Sequence, residues 1–410
     1  MTWIHGMLRG ASAATCGLVL ACGENTRSPS GPAELALGPG QTEAVLPEFR
    51  IANTFGLEEH SFSAAYDGTN YLVVGQYDGI IKARLVHPDK SLSPQISANH
   101  YGYIPYVAFD GTNYLLAWAD DGNLNVMGQF ISPAGAKVGT PFKMTASGDV
   151  AFLRGLAYAN GQYCFTFVRN DAAMYRRLMT PAKSFSSVKV ISGVYSIVPF
   201  QYHSNLATDG TNFLAVYSAG SAGFPTTVAA RLLRSDGTLG TERTVSDIGT
   251  VTYLDVTATF ANGKYFVVWT DLTPTTTSYT GDVYGRLLTT TGATSGNRIN
   301  IASSARFEIA MGVTASNGNF EVLFHDAADD NVNASVKGRF YDASGTALTT
   351  AAKLFGVKNG TIPVLGAALA TGSSFFFVLN RPTPYIASTP LYYFTYLDSN
   401  VFGSFATLGP

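Results

Sequence analysis

The sequence has few charged residues and no concentration of basic ones. Only 13% of its 410 residues are charged, the formal net charge is −2, and lysine and arginine nowhere form a run. Proteins that bind nucleic acid or an anionic membrane surface directly usually present a concentrated basic patch. Neither is therefore expected as a partner of the folded part of this chain.

Cysteine is almost as scarce. Only Cys16, Cys22 and Cys164 occur, and Cys16 lies within a predicted export signal, residues 1–22. These cysteines provide neither a disulfide framework nor a CxxC metal site. Cys164 lies in the apolar run QYCFTFV (162–168), which predicts a buried and inert thiol.

The motifs of common hydrolases and metal enzymes are also missing. The chain contains no GxSxG and no HExxH, and only six histidines. Its acidic run DAADDN (326–331) lacks the DxDxDG pattern of calcium loops, so a solvated loop is expected there. These absences predict no cofactor and no metal, and they make catalysis the less favoured interpretation.

The N-terminus has the features of an export signal. Arg9 is its only charge, a run of small and apolar residues occupies 11–21, and no later apolar stretch reaches the roughly 18 residues of a membrane helix. The residues VLAC (19–22) resemble the lipobox of bacterial lipoproteins. That resemblance implies lipidation of Cys22, and Gly23 after it implies the outer membrane.

An ordinary signal peptide, cleaved after an alanine, is the alternative. It would leave Cys22 incidental and the protein periplasmic or secreted. Residues 23–44 are rich in glycine, proline and serine, which predicts a flexible tether. We expect contact with a membrane through the lipid anchor only.

Glycine, tyrosine and phenylalanine are plentiful, and one unit containing them recurs seven times. The copies are AYDGTNYLVV (65–74), AFDGTNYLLAW (108–118), AYANGQYCFTF (157–167), ATDGTNFLAVY (207–217), TFANGKYFVVW (259–269), TASNGNFEVLF (314–324) and LATGSSFFFVL (369–379). The aromatic residue after each turn marks the register, at Tyr71, Tyr114, Tyr163, Phe213, Tyr265, Phe320 and Phe375. The number of residues between successive register aromatics suits a four-stranded β-propeller blade.

Each unit is predicted to form strands A to D. In the second unit these are 104–109, 114–119, 124–132 and 140–146, with turns at 110–113 and 133–136. Strand B is apolar on both faces, which indicates burial on both sides. The segment LPEFRIAN (46–53) resembles a strand D, whereas the seventh unit has strands A to C, ending at YYFTYLD (392–398), and only a weak strand D after them. We therefore predict one all-β domain over 45–410, a seven-bladed propeller closed by its N-terminal strand.

The DGTNYLVVW-like and GRLL-like signatures resemble degenerate propeller repeats of bacterial secreted proteins and lipoproteins. The likeness covers roughly residues 45–400. No single chemistry belongs to that class, so it implies a fold and not a function.

Residues that recur in every unit are expected to serve the unit itself. Strand C carries an arginine at one register in five units, with Gln129 and Thr395 in the other two. The arginines are Arg84, Arg177, Arg231, Arg286 and Arg339. We expect structural pairing for them, with the acids near the end of strand B as candidate partners, rather than a ring of anion-binding groups. Asp67, Asp110 and Asp209 are predicted turn formers.

Function is expected on the face formed by the B–C and D–A connections, here called the loop face, because these vary between units. The A–B and C–D turns are short and form the opposite turn face. Polar and aromatic residues at the start of strand A mark a candidate ligand site in the first four units. They are His60, His100, Tyr101, Tyr103, Arg154, Tyr202 and His203. The position that matches Tyr103 is aliphatic in the last three units, at Leu254, Ile309 and Val364.

Two functions remain open. The first is a monomeric, non-catalytic binding or scaffold protein at the cell surface, with a glycan or a peptide as ligand. The second is a hydrolase or lyase acting on polysaccharide, with His60, His203 or Tyr202 as acid or base. The acids nearest this site, Asp255 and Glu308, look isolated in the sequence, which disfavours the enzyme. A third interpretation is purely structural, with the rings filling a central channel.

Overall fold

The computed structural model describes residues 46–407 with several internal gaps. The gaps are 54–58, 78, 123–124, 147–150, 170, 172, 194–204, 222–223, 248–251, 275–278, 328–333, 359–362, 373 and 385–395. The predicted signal, Cys22 and the predicted tether lie outside the described residues. Every regular element of the described part is a β-strand, so the all-β prediction is confirmed. No helix long and apolar enough to cross a bilayer occurs in that part.

The strands follow the predicted four-strand order. Strand A of successive units is β2 (Glu59–Tyr66), the second part of β5 (Ile96–Phe109), β9 (Ala151–Ala159), β13 (Leu206–Thr208), β17 (Thr252–Ala261), β21 (Phe307–Ser316) and β25 (Val364–Thr371). Strand B is β3 (Tyr71–Tyr77), β6 (Tyr114–Asp120), β10 (Gln162–Arg169), β14 (Phe213–Ser221), β18 (Lys264–Pro274), β22 (Asn319–Ala327) and β26 (Ser374–Pro384).

The outer half of each unit contains strands C and D. Strand C is β4 (Ile80–Val86), β7 (Val126–Ile131), β11 (Met174–Met179), β15 (Phe224–Leu233), β19 (Tyr279–Thr289), β23 (Ser335–Tyr341) and β27 (Tyr396–Thr407). Strand D is the first part of β5, β8 (Lys137–Lys143), β12 (Lys189–Ser192), β16 (Arg243–Thr244), β20 (Thr294–Ala302), β24 (Ala352–Gly356) and β1 (Phe49–Asn53). Strands within a unit pair antiparallel, in the order A-B-C-D.

Neighbouring units also meet through their A strands. Each A strand lies beside the A strand of the next unit, and β25 in turn lies beside β2. Strand B is buried on both faces, as predicted. All seven residues of β3, for example, are buried. Cys164 in β10 is a free and fully buried thiol, and burial raises its pKa to about 12. It is therefore protonated and unreactive at neutral pH.

The strand β5 differs from its sequence-based prediction because it serves two units. Its 14 residues run without interruption from a strand D that pairs with β4 to a strand A that pairs with β6. The D–A connection at this point is therefore a continuous strand and not a loop. A hydrophobic pattern alone does not show where one sheet ends and the next begins.

The last unit obtains its fourth strand from the N-terminus. The strand β1 pairs antiparallel with β27, and the sheet order is β1-β27-β26-β25. Strand C of this unit begins at Tyr396 and therefore lies further along the chain than the predicted 392–398. In the last unit, the strand-C residue at the arginine register is Ser404, which lies opposite Phe377. The assignment of Thr395 to that register is therefore wrong. The strong β-propensity of YYFTY suggested an earlier strand than the one that pairs with β1.

The predicted turn formers have the expected role on the turn face. Asp110 Oδ1 accepts hydrogen bonds from the backbone N–H groups of Thr112 and Asn113, at 2.8 and 2.7 Å. Asp67 and Asp209 make the same two bonds in their own turns. The carboxylate thus satisfies backbone donors that a tight hairpin would leave unpaired.

The recurring arginines connect neighbouring units through backbone carbonyls. Each donates from Nη1 to a carbonyl in or just after strand D of the preceding unit. The pairs are Arg84 with Ile51, Arg177 with Met144, Arg231 with Ile191, Arg286 with Val245, and Arg339 with Ile301. Their structural role is confirmed, but these partners are carbonyls rather than the acids of strand B. Gln129 differs, because its side-chain amide donates to carbonyls of its own unit.

Candidate functional site

The start of strand A, where the sequence places the candidate site, is irregular in the structure. A register shift interrupts pairing between strands A and B at His60/Ser63, Tyr103/Tyr106, Leu254/Thr257, Ala310/Gly312 and Leu365/Ala367, and Arg154 is the extra residue in β9. Such bulges redirect side chains and are common beside functional sites. The strands thus change direction where the predicted ligand-binding residues begin.

Tyr101 is the most accessible aromatic residue at this face. Its residue surface is 60% exposed, and no other described aromatic side chain is exposed. Its backbone pairs with Ile80, and its carbonyl accepts a hydrogen bond of 3.2 Å from the Asp121 amide. Gly79, with a φ of +75°, leaves room for the ring, because a Cβ there would lie 3.1 Å from it. Tyr101 is therefore an exposed ring on a fixed backbone.

Tyr103 lies two residues further along β5 and is partly buried. Its hydroxyl donates a hydrogen bond of 2.5 Å to Asp121 Oδ1. The next residue, Ile104, has a φ of +50°, which is unfavourable for a β-branched side chain. Strain of this kind is retained where surrounding structure imposes it, often at functional sites.

His100 and Trp118 provide the inner part of this region. Their ring centroids are 5.6 Å apart, and Gly102 packs directly over the indole. The indole N–H of Trp118 is buried and has no hydrogen-bond partner among the described residues. At the matching position of the fifth unit, Trp269 donates to Asp271 Oδ1 at 2.7 Å. Two equivalent tryptophans therefore have different polar surroundings.

The remaining predicted site residues are less open or lie outside the description. Arg154 is only 6% exposed, and its carbonyl accepts a 3.2 Å bond from the Asn205 amide. Tyr202 and His203 lie outside the described residues, and at His60 only the backbone is described. The structure thus brings His100, Tyr101 and Tyr103 together on one strand. We call these three residues, together with Trp118 and Asp121, the Tyr101 surface.

A second feature of the loop face is a row of four carboxylates in the fifth and sixth units. Asp271 lies opposite Asp282 across β18 and β19, and Glu308 lies opposite Asp326 across β21 and β22. The two pairs meet where Gly281 pairs in parallel with Phe307. A Cβ on Gly281 would lie 2.5 Å from the Glu308 carbonyl, so only glycine fits this approach. Glu308 is therefore not isolated, and that sequence-based interpretation is wrong.

Opposite effects act on the members of this carboxylate row. Burial raises the pKa of Asp271 to about 6 and also raises the pKa of Glu308. Burial would raise the pKa of Asp326 as well, but Lys337 and Arg306, which both form ion pairs with it, lower it overall. The cross-strand pair Glu308 and Asp326 thus combines a carboxyl that holds its proton more tightly with one that holds it less tightly.

Neighbouring side chains extend this network without creating a metal site. Arg298 reaches Asp247 at 3.4 Å and Asp271 at 3.9 Å, and its guanidinium lies 4.2 Å from the Tyr284 ring centre. Burial lowers the pKa of His325 to about 4, so its ring is neutral at pH 7. Within the described ranges, no three His, Cys, Asp or Glu side chains group closely enough to hold a metal ion.

The sequence signals differ for the two features. His100, Tyr101 and Tyr103 of the Tyr101 surface lie within one short stretch of the chain, so their grouping was detectable. The carboxylate row joins four strands and depends on the parallel contact between β19 and β21. No local sequence pattern predicts this contact. Glu308 and Asp326 could have been paired only by placing β21 opposite β22 in register.

No protein-family model and no curated protein matches the chain. Several solved structures have a distant likeness to it. AofleA from Arthrobotrys oligospora is 10% identical, with a TM-score of 0.44, over 78% of this chain and 95% of its own. The β-propeller domain of the Trilobed protease from Pyrococcus furiosus is 8% identical, with a TM-score of 0.47, over 77% and 90%. The Dos1 propeller is 8% identical, with a TM-score of 0.44, over 89% and 94%. These scores and identities are too low to carry any activity to this chain.

Proposed function

We propose that this chain is a closed seven-bladed propeller and a non-catalytic binding module, with a glycan or peptide bound at the Tyr101 surface. The closed ring is supported by the succession of neighbouring A strands, which returns from β25 to β2. It is also supported by the pairing of β1 with β27, which joins the two ends of the described chain. A rigid ring holds its loops in place, so a ligand is met at little ordering cost.

The exposure of Tyr101 carries the binding proposal. Soluble proteins usually bury much of a tyrosine ring, and here the ring is exposed while its backbone is fixed by β4 and the Asp121 amide. Such a ring offers an apolar face with a polar tip at little conformational cost. The carboxylate of Asp121, held by Tyr103, supplies a hydrogen-bond acceptor nearby.

Attachment to a membrane is a separate part of the proposal. The lipobox-like residues before Cys22 support a lipid anchor, and the composition of residues 23–44 supports a tether. Substitution Cys22→Ala is expected to move the protein from the detergent phase to the aqueous phase on partition. Unchanged partition would favour the ordinary signal peptide and a periplasmic or secreted protein.

Glycan and peptide arrays test the binding site. The protein is expected to bind a limited set of ligands, and Tyr101→Ala is expected to weaken that binding about tenfold or more, since a stacked aromatic contributes on the order of 1–3 kcal/mol. Leu348→Ala is the matched control, because it removes an exposed apolar side chain from a C–D turn. Equal loss in both variants, or no loss in either, would remove the Tyr101 surface as the site.

The opposite pKa shifts of Glu308 and Asp326 favour one second candidate, hydrolysis of polysaccharide at the carboxylate row. Glycoside hydrolysis requires one carboxyl group that donates a proton and one that stays ionised. Under this candidate Glu308 is the acid, in place of the histidines and tyrosine suggested by the sequence. Release of reducing ends from a polysaccharide panel, abolished by Glu308→Gln, would favour the enzyme over the binding module.

A further inference from the structure

The segment 46–53 is held by three different sheets. Its strand β1 pairs with β27, with a bulge between Arg50 and Ala52. The Leu46 amide donates to the carbonyl of Leu354 in β24 at 3.2 Å, and the Ile51 carbonyl accepts from Arg84 of β4 at 2.6 Å. All these bonds involve the backbone of the segment, so they select its position and not its sequence.

One polar contact of this segment depends on side-chain identity. Arg381 of β26 donates from Nε to Glu48 Oε2 at 2.9 Å and from Nη2 to Glu48 Oε1, and both side chains are only 3% exposed. Its Nη1 donates to the Gly356 carbonyl at 2.7 Å, which ties the pair to the preceding sheet. Two parallel bonds between a guanidinium and a carboxylate give geometric as well as electrostatic selectivity.

The position of Arg381 makes this contact unusual among the repeats. It lies six residues after the register aromatic of its unit, where three other units have Asp120, Asp271 and Asp326, and where Arg169 of the third unit lies over the Tyr175 ring. The recurring strand-C arginines all contact carbonyls, which every residue possesses, and Arg286 additionally pairs with the exposed Asp247. Arg381 instead requires an acid at one place in its partner, because a buried guanidinium without a counter-charge is strongly unfavourable.

We propose that Glu48 and Arg381 form a recognition pair that specifies which segment occupies the β27 edge. The edge accepts an extended segment only when a carboxylate stands where Glu48 does, and the chain's own residues 46–53 satisfy this requirement. Arg381 is then the specificity-determining residue for closure at this sheet. The inference rests on the observed pairing of β1 with β27 and is independent of any ligand at the Tyr101 surface.

A nicked protein tests the proposal. A protease site is placed within residues 54–58 of the full chain, so that cleavage separates the N-terminal segment from β2 without removing it. In the otherwise wild-type protein the segment should stay bound through gel filtration. Its dissociation should be about 100-fold faster with Arg381→Met or Glu48→Gln, as expected for an uncompensated buried charge or a lost charged bond. Arg339→Met, which removes an arginine that bonds carbonyls elsewhere, should leave the dissociation rate unchanged.

Peptide exchange provides a second measurement that needs no destabilised variant. Nicked wild-type protein is incubated with labelled synthetic peptides of residues 45–54, with the native sequence or with the change E48Q. The native peptide should exchange into the edge and the changed peptide should bind about 100-fold more weakly. Equal binding of the two peptides, or equal dissociation in all nicked variants, would overturn the proposal.

Discussion

The turn face and the loop face of this molecule use their polar side chains differently. On the turn face, Asp110 satisfies two amides of its own turn, and the Tyr114 hydroxyl donates to the Asn70 carbonyl of the preceding turn at 3.0 Å. On the loop face, Tyr101 projects into solvent and burial raises the pKa of Glu308. Recurring side chains are thus paired with backbone, and non-recurring ones are exposed or electrostatically perturbed.

This difference separates residues with a structural role from candidates for a functional one. A residue repeated in several units meets the same neighbours in each, so its role is to join strands and units. A residue that departs from the repeat gains nothing from that shared role, and it needs another explanation. A functional role is such an explanation where the residue has a perturbed pKa or is an exposed aromatic on a fixed backbone.

The largest expected effect comes from a buried strand-B residue that departs from the repeat. Glu321 follows the register aromatic of its unit, where the other units have Leu72, Leu115, Cys164, Leu214, Phe266 and Phe376. It is fully buried, neither carboxyl oxygen has a partner among the described residues, and burial raises its pKa from 4.5 to about 8. It is therefore protonated in the folded protein at pH 7.

The sign of its contribution follows from proton linkage. Below pH 4.5 the carboxyl is protonated in both states, whereas between pH 4.5 and 8 only the unfolded chain ionises. Stability should therefore fall as the pH rises through this window, by at most about 4 kcal/mol at about 1.4 kcal/mol per pH unit. In Glu321→Gln and Glu321→Met this part of the pH dependence should be absent, as measured by urea unfolding at pH 5 and pH 8. Variants that keep the wild-type slope would show that Glu321 ionises normally.

The next effect concerns a recurring arginine. Arg231 donates from Nε to the Gly240 carbonyl at 2.8 Å and from Nη1 to the Ile191 carbonyl at 2.5 Å. Arg231→Met keeps the length of the side chain but leaves both carbonyls unmatched, so about 2–3 kcal/mol of unfolding free energy should be lost. Arg243→Met on the exposed strand β16 serves as control and should change stability by less than about 0.5 kcal/mol. A similar loss of unfolding free energy in both variants would mean that recurrence does not identify residues with a structural role.

These arginines also show which features of the fold could be predicted from the sequence. Their recurrence predicted a structural role, since a shared position implies a shared neighbour, and the hydrogen bonds confirm it. Their partners could not be predicted, because every residue has a backbone carbonyl and the sequence does not show which one accepts the bond. The same limit applies to Ser404, whose register became visible only through the pairing of β27 with β26. Periodicity finds strands, whereas contacts between sheets depend on register.

A smaller effect is expected at a recurring turn. Asp110→Ala removes the acceptor of two backbone N–H groups, at 2.8 and 2.7 Å, in an exposed hairpin. Water can replace part of this bonding, so a loss of about 1 kcal/mol is expected in thermal or urea unfolding. Thr112→Ala in the same turn, whose side chain is exposed, should cost less than about half as much. A larger loss at Thr112 would contradict the role given to the aspartate.

The smallest effect on stability is expected at Tyr101. Because 60% of this residue is exposed, Tyr101→Ala should change the unfolding free energy by less than about 0.5 kcal/mol. A loss comparable with that of a core residue would mean that the ring supports the junction between β4 and β6. Unfolding in urea, compared with the wild-type protein, distinguishes these outcomes.

The central claim is that the two faces divide structure from recognition. Its most direct test measures ligand affinity and unfolding free energy together for Tyr101→Ala and Asp110→Ala, with a ligand taken from the arrays. We predict that Tyr101→Ala loses affinity about tenfold or more at unchanged stability, while Asp110→Ala loses about 1 kcal/mol of stability at unchanged affinity. The reverse pattern, or variants that lose both properties in proportion, would contradict the division.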